Sequence, residues 1–234
     1  MNLAIDIGNT KIKAGVFNEG HLLHKETFED IQKIGFLINK FNIKKAISAS
    51  VRKSASINLP QSIQHIYLSH QLKFPFKIHY KTPETLGTDR IAAVAGALAY
   101  APNRNILVID AGTCITYDFI DADRNYLGGN ISPGINMRFK ALHNFTDGLP
   151  LLSNNENALL IGQTTEEAIS GGVLNGTIFE VAGIINEYHS KFHDVQIIMT
   201  GGDAHFFENK LKETIFAVPD LLLSGLNSIL KYNA

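Results

Sequence analysis

Short apolar runs and helical spacings alternate along the chain. Near the start, Leu3 to Asp6, Lys11 to Phe17 and His21 to Phe28 read as three strands. Asn18-Glu19-Gly20 supplies the turn between the second and third. Ile31, Ile34, Leu37 and Ile38 then recur at the spacing of one helix face, which predicts a helix from Asp30 to Phe41. Lys45 to Ser50 is a short buried strand, and Ile63 to Leu68 reads as another. Pro75 and Pro83 punctuate an irregular stretch. An Ala-rich helix follows from Gly87 to Tyr100, with residues small enough for another backbone to approach.

The second half repeats the order. Strands are expected from Ile106 to Asp110, Cys114 to Ile120 and Tyr126 to Ser132, with the turn at Asp121 to Asn125. Pro133 stands where a helix begins, since its missing N–H costs little there. Thr164 or Thr165 caps a long helix whose first turn holds Glu166 and Glu167 and which ends near His189. Gln196 to Thr200 is a strand, Gly201-Gly202-Asp203 a turn, and Pro219 opens the last helix, with Leu221, Leu222, Leu223, Leu226 and Leu230 as its apolar face. The order is β-β-β-α-β-α twice over. The expected divisions are residues 1–103 and 104–234.

One motif stands at the same place in both halves. Asp6-Ile7-Gly8-Asn9-Thr10 follows the first strand, and Asp110-Ala111-Gly112-Thr113 follows its counterpart. A strand, an Asp-x-Gly-(x)-Thr turn and a second strand make a hairpin whose turn can face a phosphate. Glycine lets the backbone turn tightly and approach a ligand closely. Threonine offers a hydroxyl and an N–H, and aspartate a carboxylate for hydrated Mg²⁺. Two copies half a chain apart point to a duplicated fold with a nucleotide between its halves. A doubly wound dinucleotide fold is excluded, because hairpins lead each half and no Gly-x-Gly-x-x-Gly follows the first strand. No P-loop sequence occurs either.

Composition narrows the classes further. The 234 residues carry a formal net charge of −1, which leaves no electrostatic footprint for nucleic acid. Cys114 is the single cysteine, so an internal disulfide and a cysteine-based zinc site are excluded. An acid at position 6 interrupts any leader-like apolar core, and no stretch is expected to approach the length of a membrane span. A cytoplasmic protein with no membrane partner is the expectation.

Three more segments complete a pattern: Leu86-Gly87-Thr88-Asp89-Arg90, Gly128-Gly129-Asn130-Ile131-Ser132-Pro133-Gly134 and Met199-Thr200-Gly201-Gly202. Together with the two Asp-x-Gly hairpins, in this order, they resemble type III pantothenate kinase over the whole chain, from Met1 to the last helix. The resemblance implies an α/β fold of two ribonuclease-H-like domains with mixed five-stranded sheets, as in the actin-like ATPases and sugar kinases. It implies ATP and pantothenate as substrates, coenzyme A synthesis as the context, and a homodimer. Asp6, Ile7, Gly8, Asn9, Thr10, Lys11, Ile12, Lys13 and Thr113 would then hold ATP, with Asp6 also in the shell of its Mg²⁺. Gly201 and Gly202 would admit the adenosine. Asp89 would be the catalytic base, and Tyr80, Gly87, Thr88, Asp89, Arg90 and Thr165 would meet pantothenate. Asp110 matches the ligand position for a monovalent cation, K⁺ or NH₄⁺.

The chain departs from the family pattern at Thr164, where asparagine is frequent, at Asn130, and at His143 and Asn144. Two other readings stay open: a non-catalytic ligand-binding regulator of the same fold, and a kinase of the superfamily with another small acceptor. The presence of Asp6, Asp89 and Asp110 weighs against the first. The short chain and the Gly87 to Arg90 segment weigh against the second.

Overall fold

The computed structural model describes residues 1–8, 11–50, 57–154 and 158–233. The first strands are β1 (Asn2–Ile7), β2 (Ile12–Asn18) and β3 (His21–Phe28). They are followed by α1 (Ile34–Lys40), β4 (Lys45–Ser50), β5 (Gln64–Tyr67), β6 (Lys77–Ile78) and α2 (Thr88–Ala97). The later part holds β7 (Asn105–Ala111), β8 (Cys114–Ile120), β9 (Asn125–Pro133), α3 (Ile135–Asn144) and α4 (Thr165–Lys191). It ends with β10 (Val195–Thr200), α5 (Ala204–Glu208), β11 (Ile215–Ala217) and α6 (Leu221–Tyr232).

The chain forms two compact units. One comprises residues 1–103, 120–128 and 220–234, the other 104–119 and 129–219. In the first unit the strand order is β3-β2-β1-β4-β5. β1 and β2 pair antiparallel, as do β2 and β3, while β1, β4 and β5 run parallel. Glu19 and Gly20, both at positive φ, close the β2–β3 hairpin, the geometry that matches strand twist in a two-residue turn. Alternate residues Leu3, Ile5 and Ile7 enter one apolar cluster with Ile12, Ala14 and Val16 from β2 and Ile34 and Leu37 from α1.

α6 packs against α2 inside this first unit, although the halves read from the sequence assign it to the second. The approach is close. A side chain at Gly225 would overlap the Ala92 carbonyl, and one at Gly96 would overlap the Leu221 carbonyl. The small-residue surface of α2 is therefore occupied by α6, and Arg90 to Ala97 are all buried.

The second sheet has the order β11-β10-β7-β8-β9-β6. β10 runs parallel to β7, and β11 parallel to β10. Leu107, Ile109, Ile115 and Tyr117 meet Ile169, Val173, Val181 and Ile185 of α4 in the core of the second unit. The mixed sheets with hairpins leading and helices following match the ribonuclease-H-like expectation, with a sixth strand added to the second sheet.

Two local expectations change. Pro133 ends β9 instead of opening α3, because the chain stays tied to the β7–β8 turn through Gly134 N–H donating to the Thr113 carbonyl at 3.1 Å. A strand end tolerates a proline that donates nothing. Helix α4 also overturns the expectation that no stretch approaches a membrane span. Its 27 residues include an 18-residue window of mean hydropathy 1.5, and 44 % of that window is buried in the protein. Its apolar side chains serve the core of the second unit.

Candidate active site

In the first unit, the β1–β2 turn brings charged groups to the end of a buried strand. Asp6 and Lys13 are cross-strand partners, and Gly8 N–H donates to the Lys11 carbonyl at 3.1 Å across the turn. Asn9 and Thr10 lie outside the described residues. Ile7 and Ile12 are buried in the apolar cluster, so only their backbones are available to a ligand. Lys11 is exposed and Lys13 half-buried.

The start of α2 reaches this turn by way of β4. Ile7 pairs with Ser50, and the Ser50 carbonyl accepts from the Thr88 hydroxyl at 3.5 Å. Asp89 is thereby brought near Asp6. Burial pushes the Asp6 carboxyl up to about 6; the Lys13 charge opposes that rise and the Asp89 charge adds to it. A buried carboxylate beside a second one is poorly compensated, which is the condition a cation relieves.

Around Asp89 the backbone is shaped for its carboxylate. Oδ1 accepts from the Arg90 N–H at 2.9 Å, and a side chain at Gly87 would overlap that same oxygen. Arg90 is buried, with its guanidinium 5.8 Å from the centre of the Tyr80 ring. Gly128, at φ +105°, passes beside the Tyr80 ring at a distance where an added Cβ would be 3.4 Å away. Tyr80, Gly87, Thr88, Asp89 and Arg90 thus form one group with Asp6 and Lys13.

In the second unit, three of the sequence motifs converge on the β7–β8 turn. Gly112 N–H donates to the Cys114 carbonyl at 3.0 Å, leaving Thr113 exposed at the tip. A side chain at Gly134 would overlap the Gly112 carbonyl. Gly201, at φ +100°, comes so close that an added Cβ would sit 2.6 Å from Asp110 Oδ1. Asp203 N–H donates to the Ala111 carbonyl at 2.9 Å, and burial raises its own carboxyl above the usual range. Gly134 and Gly201 are required by these contacts, since any Cβ would displace the backbone that carries Asp110 and Thr113.

Thr165 lies exposed in the first turn of α4. The cap is Thr164, whose hydroxyl accepts from Glu167 N–H at 3.2 Å while Thr164 N–H donates to the Glu167 carboxylate at 3.2 Å. Asparagine and threonine both cap helices, so this departure from the family pattern keeps its structural role. His143 is likewise explained locally, bonded through Nδ1 to the Leu149 carbonyl at 2.8 Å. A pocket of about 430 Å³ opens at this helix start, lined in part by Thr164, Glu166, Glu167 and Ser170. Its two glutamates make it a poor place for phosphate.

Sequence reasoning did not single out Glu180. The signal was present as one acid inside an apolar run, between Ile178 and Val181. Its carboxylate gathers Tyr117, Ser132 and Arg138 around it.

Comparison with known proteins agrees with this arrangement of motifs. The family model for type III pantothenate kinase matches residues 2–187. A type III pantothenate kinase of Christiangramia forsetii is 47 % identical over 247 residues, spanning 100 % of this chain and 99 % of that one. A Campylobacter jejuni structure, described as a candidate Baf family transcriptional activator, is similar with TM-score 0.66 and 26 % identity over 99 % of this chain and 98 % of that one. A Listeria monocytogenes structure, described as a candidate N-acetylmannosamine kinase, shares the fold with TM-score 0.59 and 12 % identity, over 100 % and 99 % of the two chains. Matched along nearly all its length, the chain belongs to the type III pantothenate kinase family.

Proposed function

We propose that this protein transfers the γ-phosphoryl group of ATP to the primary hydroxyl of pantothenate, the opening step of coenzyme A synthesis. The observation that carries the reading is the Asp6–Asp89 pair on a phosphate-type hairpin and the helix beside it, within a chain of this family. Phosphoryl transfer asks a protein mainly for positioning and for neutralised charge. Asp89 accepts the proton of the attacking hydroxyl as the new O–P bond forms and the bond to the ADP oxygen breaks. A carboxylate base of this kind contributes about 10²- to 10⁴-fold. Arg90, over the face of the Tyr80 ring, binds the pantothenate carboxylate or its neighbouring polar groups. By the family resemblance, Thr10 and Lys13 of the first hairpin and Thr113 of the second supply contacts to phosphate oxygens, the Gly8 and Gly112 N–H groups being spent in closing their own turns. Thr165 is a further pantothenate contact by its match to the family position alone.

The residues present fit Mg²⁺ that arrives with the nucleotide. No group of three or more ligating side chains occurs among the described residues, and one buried carboxylate suffices for an ion that keeps its waters and phosphate oxygens. Asp6 would hold it, and the ion would offset the charge of the transferring phosphoryl. A monovalent cation, K⁺ or NH₄⁺, would be held by Asp110, by its match to the family's ligand position. We further infer a cytoplasmic homodimer; exposed Leu160, Ile161 and Phe179 in the second unit supply apolar surface for a second copy.

The experiment is ATP-dependent phosphorylation of pantothenate by purified protein with Mg²⁺, with and without K⁺. Asp89→Asn is expected to keep ATP binding and lose at least about 10²-fold in kcat. Near-normal turnover in that variant would remove Asp89 as the base. The description of the Campylobacter relative favours a second reading, a ligand-binding regulator. Folded protein that binds nucleotide and pantothenate without product, with or without K⁺, would select it.

A further inference from the structure

Glu180 sits in the middle of α4, the helix that otherwise supplies apolar side chains to the core of the second unit. Its Oε1 accepts from the Ser132 hydroxyl at 2.6 Å and from the Tyr117 hydroxyl at 3.0 Å. Its Oε2 accepts from Arg138 Nη2 at 2.6 Å. Partial burial works to raise this carboxyl. The bonds from Ser132 and Arg138, the Arg138 charge and the Tyr117 bond outweigh it and hold the group below its ordinary range. Tyr117 is fully buried, and burial together with the Glu180 charge keeps its phenol protonated as a fixed donor.

Three donors on this one half-buried carboxylate tie β8, β9 and α3 to α4. What distinguishes this one is where its partners lie. Ser132 is at the end of β9, and Arg138 is in the second turn of α3. Arg138 Nε also donates to the Pro133 carbonyl at 2.9 Å. The next residue, Gly134, donates to the Thr113 carbonyl at 3.1 Å and rests against the Gly112 carbonyl with no room for a side chain. An unbroken path of hydrogen bonds and one peptide unit therefore runs from the Glu180 carboxylate through Arg138 and the β9–α3 junction to the Gly112–Thr113 turn.

We propose that Glu180 is a positioning residue for nucleotide binding: anchored in α4, it fixes the β9–α3 junction and through it the register of the Gly112–Thr113 turn. The proposal rests on the reading of that turn as a phosphate contact. A turn displaced by a fraction of an ångström presents the Thr113 N–H and hydroxyl wrongly to phosphate oxygens, and catalysis and binding built on such donors are sensitive to that scale. The acceptor-side group around Asp89 and Tyr80 has no member in this cluster.

The test is calorimetric titration of ADP with Mg²⁺, alongside KM for ATP and for pantothenate, in the whole protein. Glu180→Ala is expected to weaken ADP by on the order of tenfold and to raise KM for ATP alike, with KM for pantothenate within about twofold. Glu180→Gln can keep the geometry, its Oε1 towards Arg138 and its amide donating to the two hydroxyls. It should bind ADP within about threefold of the unmodified protein, because position and not charge is the requirement. Ser132→Ala and Arg138→Met, which each leave two donors on Glu180, should show the same ATP-selective loss at smaller size, and they decide the matter if Glu180→Ala does not fold. Equal changes in both KM values, or ADP affinity unmoved in all these variants, overturns the proposal. Thr113→Val in the same titration separates the two ideas. If it weakens ADP while the Glu180 cluster variants do not, only the positioning role falls. If it too is silent, the reading of the turn falls and takes the proposal with it.

Discussion

Asp6 carries the largest electrostatic tension among the proposed site residues. Its folded-state pKa of about 6 lies above the ordinary 3.8, so the folded apo protein holds the proton more tightly than the unfolded chain does. The resulting cost is absent below the ordinary value, grows between the two, and is complete above about 6. Asp6→Asn should therefore stabilise the apo protein at pH 8 by on the order of 2–3 kcal/mol and gain little at pH 4, which melts at the two pH values will measure. Removing the neighbouring charge by Asp89→Asn should lower the Asp6 titration, visible as a downward move of its carboxyl signal in a pH series; an unmoved titration would mean the two acids do not sense each other. Glu180 has the opposite sign. Its depressed carboxyl adds stability above the ordinary range that is lost as acid protonates it, so Glu180→Gln should narrow the acid-side loss of stability. Asp6 and Asp89 were legible in the sequence because each stands in a short local motif. Glu180 was not, because its partners Tyr117, Ser132 and Arg138 are all more than forty residues away and only the sheet and two helices bring them together.

At the scale of elements, caps and close approaches decide more than propensity. Thr164→Ala removes the hydroxyl half of a capping box and should cost about 1 kcal/mol in denaturant unfolding, with serine restoring most of it. Gly225→Val would drive a branched side chain into the Ala92 carbonyl, so α6 must lift from α2. Overpacking of that kind costs typically 1–3 kcal/mol, and the loss should come with weakened pantothenate binding because α2 carries Asp89. Unchanged pantothenate affinity in a destabilised Gly225→Val protein would argue that α2 holds Asp89 without help from α6. The long elements were readable from periodicity: β1, β2, β3, α1, β4, β7, β8 and α4 fall where the apolar pattern puts them. Strands β6 and β11, of two and three residues, were not, because nothing so short has a period. Pro133 misled for another reason. Its fitness for a first helical position is real, yet the bond from Gly134 to Thr113 holds the chain extended for one residue more.

At the scale of the whole molecule, the duplicated pattern announced two ribonuclease-H-like sheets, and the topology carries them. The sequence could not announce which strand or helix each unit borrows, since that depends on packing partners far apart in the chain. The proposed dimer has a direct check in light-scattering mass at working concentration, where a protomer mass of 25.7 kDa would reject it. Nucleotide binding should also raise the melting temperature, by an amount set by concentration over affinity, and a silent melt at saturating Mg²⁺-ADP would count against the family's activity here.

The packing of α6 on α2 has a bearing on how the protein is made. The first unit draws on residues 1–103 and again on 220–234, with the bulk of the second unit synthesised in between. During translation the sheet of β1 to β5 can assemble early, but the surface of α2 at Ala92 and Gly96 stays uncovered until the final helix leaves the ribosome. An early-exposed apolar face waiting for a late partner is a point where chains associate wrongly, and contacts of such sequence separation are slow to form. Protein lacking residues 220–234 should therefore appear mainly in the insoluble fraction, and adding the α6 peptide in trans during refolding should recover part of it.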